Sequence, residues 1–194
     1  MRLYEDVVDL ARYVLEPIPS DLAPLIADGA QRRTLGRISA WCDAHSESVD
    51  DHDGSVVDPG STWIGNRQLD TAYLTPSADI LMWSDESLVH IEWDNQNKFI
   101  GGTDAWTARF GKYSLTRQDF IAECQSFHER LMHAMSERIK QVVAGALSPA
   151  IQVDIEGLLR EHEQRRHLSP LNFGALPSPT DWAAVREDMK LIGA

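Results

Sequence analysis

Between Thr116 and Gly145 the apolar residues recur at Phe120, Cys124, Phe127, Leu131, Met135, Ile139 and Val142. Steps of three and four put them on one face of an α-helix. Thr116 is a suitable N-cap, Asp119 stands where a capping-box carboxylate would, and Leu115 with Phe120 forms a hydrophobic staple. Gly145 suits the left-handed residue that ends a helix. At ~1.5 Å per residue such a helix is roughly 42 Å long. A rod of that length needs a sheet to cross or a second chain to pair with, and the rest of the chain must be arranged around it.

The segments before the rod supply the sheet. Val89, Ile91 and Trp93 alternate with His90, Glu92 and Asp94, the period of a strand. Strands are expected at Arg67–Leu74, Asp79–Ser84, Leu88–Asp94, Thr103–Phe110 and Lys112–Leu115, and a further one at Thr34–Cys42. Short links imply an antiparallel meander. The polar alternation implies that helices cover only the other face, leaving His90, Glu92 and Asp94 outside. The expectation is a single α+β domain over 1–194: an antiparallel meander packed on one face by the long helix, with N- and C-terminal helices beside it. Residues 1–30 form a helical segment, with Leu3, Val7, Leu10 and Val14 as its stripe and Pro17 as its stop. Residues 34–115 hold the sheet with an acidic loop at 43–60, and 116–145 the long helix. Residues 154–194 hold peripheral helices, after a bridge or small strand at Ile151–Asp154. One helix runs from Asp154 to Arg166; the last starts at Ser178, Pro179 and Asp181, with Trp182, Val185 and Met189 on its apolar side.

Charge is distributed unevenly. The net charge is −12, and from Ile38 to Asn66 there is no lysine or arginine, while Asp43, Glu47, Asp50, Asp51, Asp53 and Asp58 fall in that interval. This argues against nucleic acid or an anionic membrane as partner; it is compatible with a basic protein as partner and also with simple solubility. Trp63 is then a candidate aromatic anchor of the partner surface. No apolar run reaches the ~20 residues of a membrane span, and no secretory signal is visible. Cys42 and Cys124 read as reduced core residues, consistent with a cytoplasmic location.

Chemical motifs stop short of completion. His128, Glu129 and His133 resemble a zincin motif, but histidines five apart are rotated by about 500° and do not share a helix face. His90, Glu92 and Asp94 could supply an acid, a base or a metal ligand, yet Asp94 stands where a nuclease strand would carry lysine. Asp50-Asp51-His52-Asp53-Gly54 lacks the alternating ligands and the closing glutamate of a calcium loop. No metal site, catalytic set or cofactor is therefore assigned.

Several blocks carry a resemblance. They are Leu3-Tyr4-Glu5-Asp6 leading to Leu15-Glu16-Pro17-Ile18-Pro19, then Arg67-Gln68-Leu69-Asp70-Thr71-Ala72-Tyr73-Leu74. Next come Val89-His90-Ile91-Glu92-Trp93-Asp94-Asn95 and Ala105-Trp106-Thr107-Ala108 with Gly111. The last is Phe120, Glu123, Phe127, Arg130-Leu131-Met132, Met135 and Arg138-Ile139 along the helix. Over about residues 3–140 the chain resembles a bacterial family of uncharacterised proteins, a domain of unknown function. The resemblance implies an upstream aromatic segment with a Leu-Thr-Asp-Gly motif, absent from this chain, and supplies no catalytic residue. Three functions are expected, in this order. The first is a non-enzymatic protein-binding protein, in its most concrete form an immunity-type inhibitor of a basic toxin or effector. A metal-dependent hydrolase using His90, Glu92 and Asp94 comes second. A structural homo-oligomer pairing through the long helix comes third.

Overall fold

A computed structural model describes residues 2–45, 58–148, 150–167 and 179–193. The architecture is α+β, and the chain divides into two compact units: Met1–Arg117 with Leu176–Ala194, and Gln118–Ala175. Among the described residues no helix is long and apolar enough to cross a membrane.

In the first unit, α1 (Arg2–Val14) buries Leu10, Ala11 and Val14. Its end is stitched to the sheet: Ser84 Oγ donates to the Val14 carbonyl at 2.6 Å, and Ile18 N donates to the Ser84 carbonyl at 2.8 Å. A 3-10 turn at Ala23–Leu25 follows, then α2 (Ala30–His45). Here the expected strand at Thr34–Cys42 is corrected to helix. Ala30, Thr34 and Ile38 are the buried positions, and their spacing of four is helical, while Cys42 is exposed rather than a core residue. The expected loop at 43–60 also changes: residues 46–57 lie outside the described residues, Asp43 lies in α2, and Asp58 begins α3 (Asp58–Gly65).

Three strands form the main sheet: β1 (Ile80–Ser84), β2 (Leu88–Asp94) and β5 (Phe110–Thr116), antiparallel in the order β1-β2-β5. Two two-residue strands, β3 (Phe99–Ile100) and β4 (Thr103–Asp104), form a separate hairpin through Gly101 and Gly102, both at positive φ. The expected strand Arg67–Leu74 is reduced to a bridge between Gln68 and Leu81 on the outer edge of β1. Asp70 turns the chain away there by accepting from Ala72 N. The expected strand Thr103–Phe110 ends after Asp104. Buried Asn95 fixes the chain beyond it, donating from its amide side chain to the Ala108 carbonyl and from its backbone to the Arg109 carbonyl.

Gly111 faces Trp93 directly across the β2–β5 pair, and a Cβ on Gly111 would clash with the indole ring. Gly111→Ala is expected to cost about 1–3 kcal/mol through forced displacement of that ring. The measurement is the urea midpoint against wild type; an unchanged midpoint would show that Trp93 moves freely.

The register decides which face of the sheet is covered. Directly paired residues share a face, so Leu81, Glu92 and Lys112 lie together, as do Trp83, His90 and Ser114. Leu81 and Trp83 belong to the core with Ile18, Leu22, Ile26, Ile38, Trp63, Ile64, Val185 and Met189. The face carrying His90 and Glu92 is therefore the one turned to the helices of this unit, and their expected outer position is corrected. The closing helix α6 (Trp182–Leu191) supplies Val185 and Met189. Asp181 is its N-cap, accepting from Ala183 N and Ala184 N; Ser178, expected as the cap, lies outside the described residues. Gly60 of α3 lets α6 approach closely, since a Cβ there would press on Asp188 and Met189.

The second unit contains the long helix, α4 (Arg117–Val143), followed by Gly145 at φ 82°. It buries Phe120, Cys124, Met132 and Ile139, so Met132 takes the place expected for Leu131. Burial, with help from the neighbouring Glu123 charge, pushes the Cys124 thiol up to about 11. Residues 151–154 form no strand; Asp154 instead accepts from Gly157 N and starts α5 (Ile155–His167).

Candidate functional site

The acid-rich interval is only partly visible. Asp43 is exposed near the end of α2, and Asp58 is the first residue of α3; Glu47, Asp50, Asp51 and Asp53 lie outside the described residues. Trp63 is 1% exposed, with its ring edge-on to Trp182 at 6.0 Å. It is a core residue and cannot be the aromatic anchor of a partner surface. The eight-residue helix α3 turns it inward beside Ile64.

The row His90, Glu92 and Asp94 is assembled, but each side chain is engaged separately. Asp94 pairs with Arg32 of α2 at 2.8 Å. Glu92 is buried and accepts from the Trp83 indole N–H at 3.1 Å and from Gly29 N at 3.2 Å. The turn that delivers Gly29 is left-handed, with Asp28 at φ 53° and Gly29 at φ 78°. Lys112 stands 3.6 Å from Glu92 and 3.0 Å from Asp28. Burial opposes the Lys112 charge, but Asp28 and Glu92 outweigh it and hold the ammonium above the ordinary lysine range. These contacts use the acceptors that a metal would need. Among the described residues no three His, Cys, Asp or Glu side chains gather as a ligand set.

His90 has partners that only the register reveals. Its Nε2 lies 3.1 Å from Asp85 Oδ2 and its Nδ1 2.8 Å from Ser114 Oγ. The Trp83 ring covers the imidazole at 4.3 Å between centroids. Asp85 sits in the β1–β2 turn, where its Oδ1 accepts from Ser87 N and Leu88 N, each at 2.7 Å. Partial burial works against the Asp85 charge, but the two amides and His90 outweigh it and keep the carboxyl below the ordinary aspartate range. Alternation groups His90 with Glu92 and Asp94 but cannot say which residue of β5 faces it.

The strand order also leaves β5 at the sheet edge, while the outer edge of β1 meets Pro17 and Gln68. No further strand pairs with β5 among the described residues. Phe110 and Tyr113 on β5 are 61% and 59% exposed, and Phe99 and Ile100 of β3 are exposed as well. In the second unit, a groove of about 490 Å³ is lined by His128, Glu129, His133 and Lys140 of α4 and by Arg166 of α5. Ser136 also lines it and bonds to His162 Nε2 at 2.7 Å.

The fold and these contacts define an α+β protein whose most distinctive residues hold the structure together from within. The chain belongs to a family described as a family of unknown function (DUF5984), whose family model matches residues 1–188. No curated protein and no solved structure matches the chain. Several polar residues in the blocks that suggested a family are internal anchors. Glu16 and Arg67 pair with each other, Glu92 ties Trp83 to Gly29, and Asn95 binds both Asp79 N and the Ala108 carbonyl.

Proposed function

We propose that the protein works by binding a basic protein partner, which adds a segment along the open edge of β5. The observation that carries this reading is an edge strand with two exposed aromatic residues, Phe110 and Tyr113, in a chain of net charge −12. An unprotected edge offers main-chain hydrogen bonds to an added strand, and large side chains beside it supply contact area. The charge sets the sign of the partner. Arg32, Lys98, Lys112 and Arg186 are already paired with carboxylates of the same chain. The cation-free interval from Ile38 to Asn66 strengthens that field and speeds encounter with a basic surface. Inhibition of a basic toxin or effector is the finer form of this proposal.

Affinity capture from lysate tests it, with wild type and a Phe110→Thr/Tyr113→Thr variant as baits. Wild type is expected to retain a basic protein at about 0.1 M salt and release most of it at about 1 M, as the screening length falls from roughly 10 Å to roughly 3 Å. The variant is expected to retain much less at either salt. Equal capture by both baits would remove β5 from the interface.

A further inference from the structure

We propose that Asp85, His90 and Ser114 form a serine-nucleophile site able to accept an acyl group from an activated ester. The inference goes beyond partner binding and stands on separate residues. Two hydrogen bonds fix the direction of proton transfer. Asp85 accepts at its two oxygens: the turn amides hold Oδ1, and His90 Nε2 stands at Oδ2. A carboxylate needs a donor, so with a neutral imidazole the ring proton sits on Nε2 and Nδ1 carries the lone pair. Ser114 Oγ, 2.8 Å from Nδ1, then donates its proton to that lone pair. This is the arrangement in which histidine acts as general base on a hydroxyl and a carboxylate holds the required tautomer.

The surroundings favour the same outcome. His90 is 8% exposed and covered by Trp83, which shields the ring from water on one side, whereas Ser114 is exposed on the edge strand. Lys112 lies two residues before Ser114 on the same face of β5, but its ammonium is held by Asp28 and Glu92. Ser136 and His162 lack this definition. The Nδ1 of His162 is buried with no hydrogen-bond partner, so nothing in that pair selects the tautomer that would activate the serine.

In the proposed step Ser114 Oγ bonds to the ester carbonyl carbon as its proton passes to His90 Nδ1. The tetrahedral adduct then expels the alcohol oxygen, which takes that proton from His90. A water molecule, deprotonated by His90, cleaves the acyl-serine and releases the carboxylic acid and the original hydroxyl. Nothing is oxidised or reduced. The ligand class is a small activated ester, because Ser114 is exposed on the edge strand. Asp85 is a positioning residue, since it acts only through His90.

The probes are a fluorophosphonate, read by intact mass and peptide mapping, and p-nitrophenyl acetate, read by nitrophenolate release. The expected result is one label per chain, mapped to Ser114, in the wild-type protein. Ester turnover is expected to fall about 100-fold or more in Ser114→Ala and in His90→Gln. Asp85→Asn is expected to lower kcat with KM unchanged, which a loss of folded protein alone would not mimic if kcat is normalised to native circular dichroism. Labelling of Ser136→Ala is expected to equal wild type. Absence of label from the wild-type protein, or its attachment to a serine other than Ser114, overturns the proposal without bearing on capture by β5.

Discussion

Arg67→Leu is expected to lose about 3–5 kcal/mol of stability, the range for removing one partner of a buried ion pair. The guanidinium is fully buried. It donates to the Trp63 carbonyl at 2.8 Å and to Glu16 Oε2 at 3.1 Å, and it lies over the Trp182 ring at 5.3 Å. Glu16 also accepts from Thr180 N and Thr180 Oγ1, just before α6 begins. One arginine thus ties the end of α1, the end of α3 and the entry to α6. Burial pushes its pKa down from the ordinary guanidinium range, and Glu16 offsets that in part. Without the arginine, the mostly buried Glu16 carboxylate keeps the two Thr180 donors but loses the cation that balances its charge. Urea unfolding reads the loss. The double variant Glu16→Gln/Arg67→Met is expected to recover part of it, because neutral replacement of both partners removes the stranded charge. A double variant no more stable than Arg67→Leu would show that packing, not charge, dominates the site.

Trp63→Ala is expected to cost about 3–5 kcal/mol, the range for deleting a large buried aromatic ring. Its ring fills the space between α3 and Trp182 and contributes to the same core as Leu81, Trp83 and Val185. Thermal or urea unfolding gives the value, and Trp63→Phe should keep most of the stability because it retains an aromatic ring in the same place. A surface anchor would behave otherwise. Its replacement would weaken partner capture and leave the unfolding midpoint where it was.

Long, strongly periodic elements were legible in the sequence because one period dominated each. The helix α4 starts at Arg117, directly after the expected cap, and Gly145 adopts the expected left-handed conformation. Strand β2 spans Leu88–Asp94 as its alternation implies. α2 was misread because Ile38, Ala40 and Cys42 alternate by chance, while its helical buried set includes Ala30 and Thr34. The helix α3 was hidden because Asp, Ser and Gly at its start are loop residues by composition, yet Trp63 and Ile64 fold them onto a core.

The candidate site was half legible for a related reason. Alternation groups His90 with Glu92, but it cannot tell which face the helices cover. That depends on partners on other elements: Gly29 N and the Trp83 indole make a buried Glu92 tolerable. Asp85 and Ser114 could be joined to His90 only through the strand register. The reading of Trp63 as a surface anchor failed because an acidic neighbourhood says nothing about the direction of one side chain.

The edge of β5 is the centre of the functional account, and paired capture with the wild-type and Phe110→Thr/Tyr113→Thr baits tests it most directly. Both baits must first show the same unfolding midpoint. The account predicts a basic protein retained by wild type, released by salt, and largely lost from the double variant. A salt-sensitive partner held equally by both baits, or no basic partner at all, would contradict it.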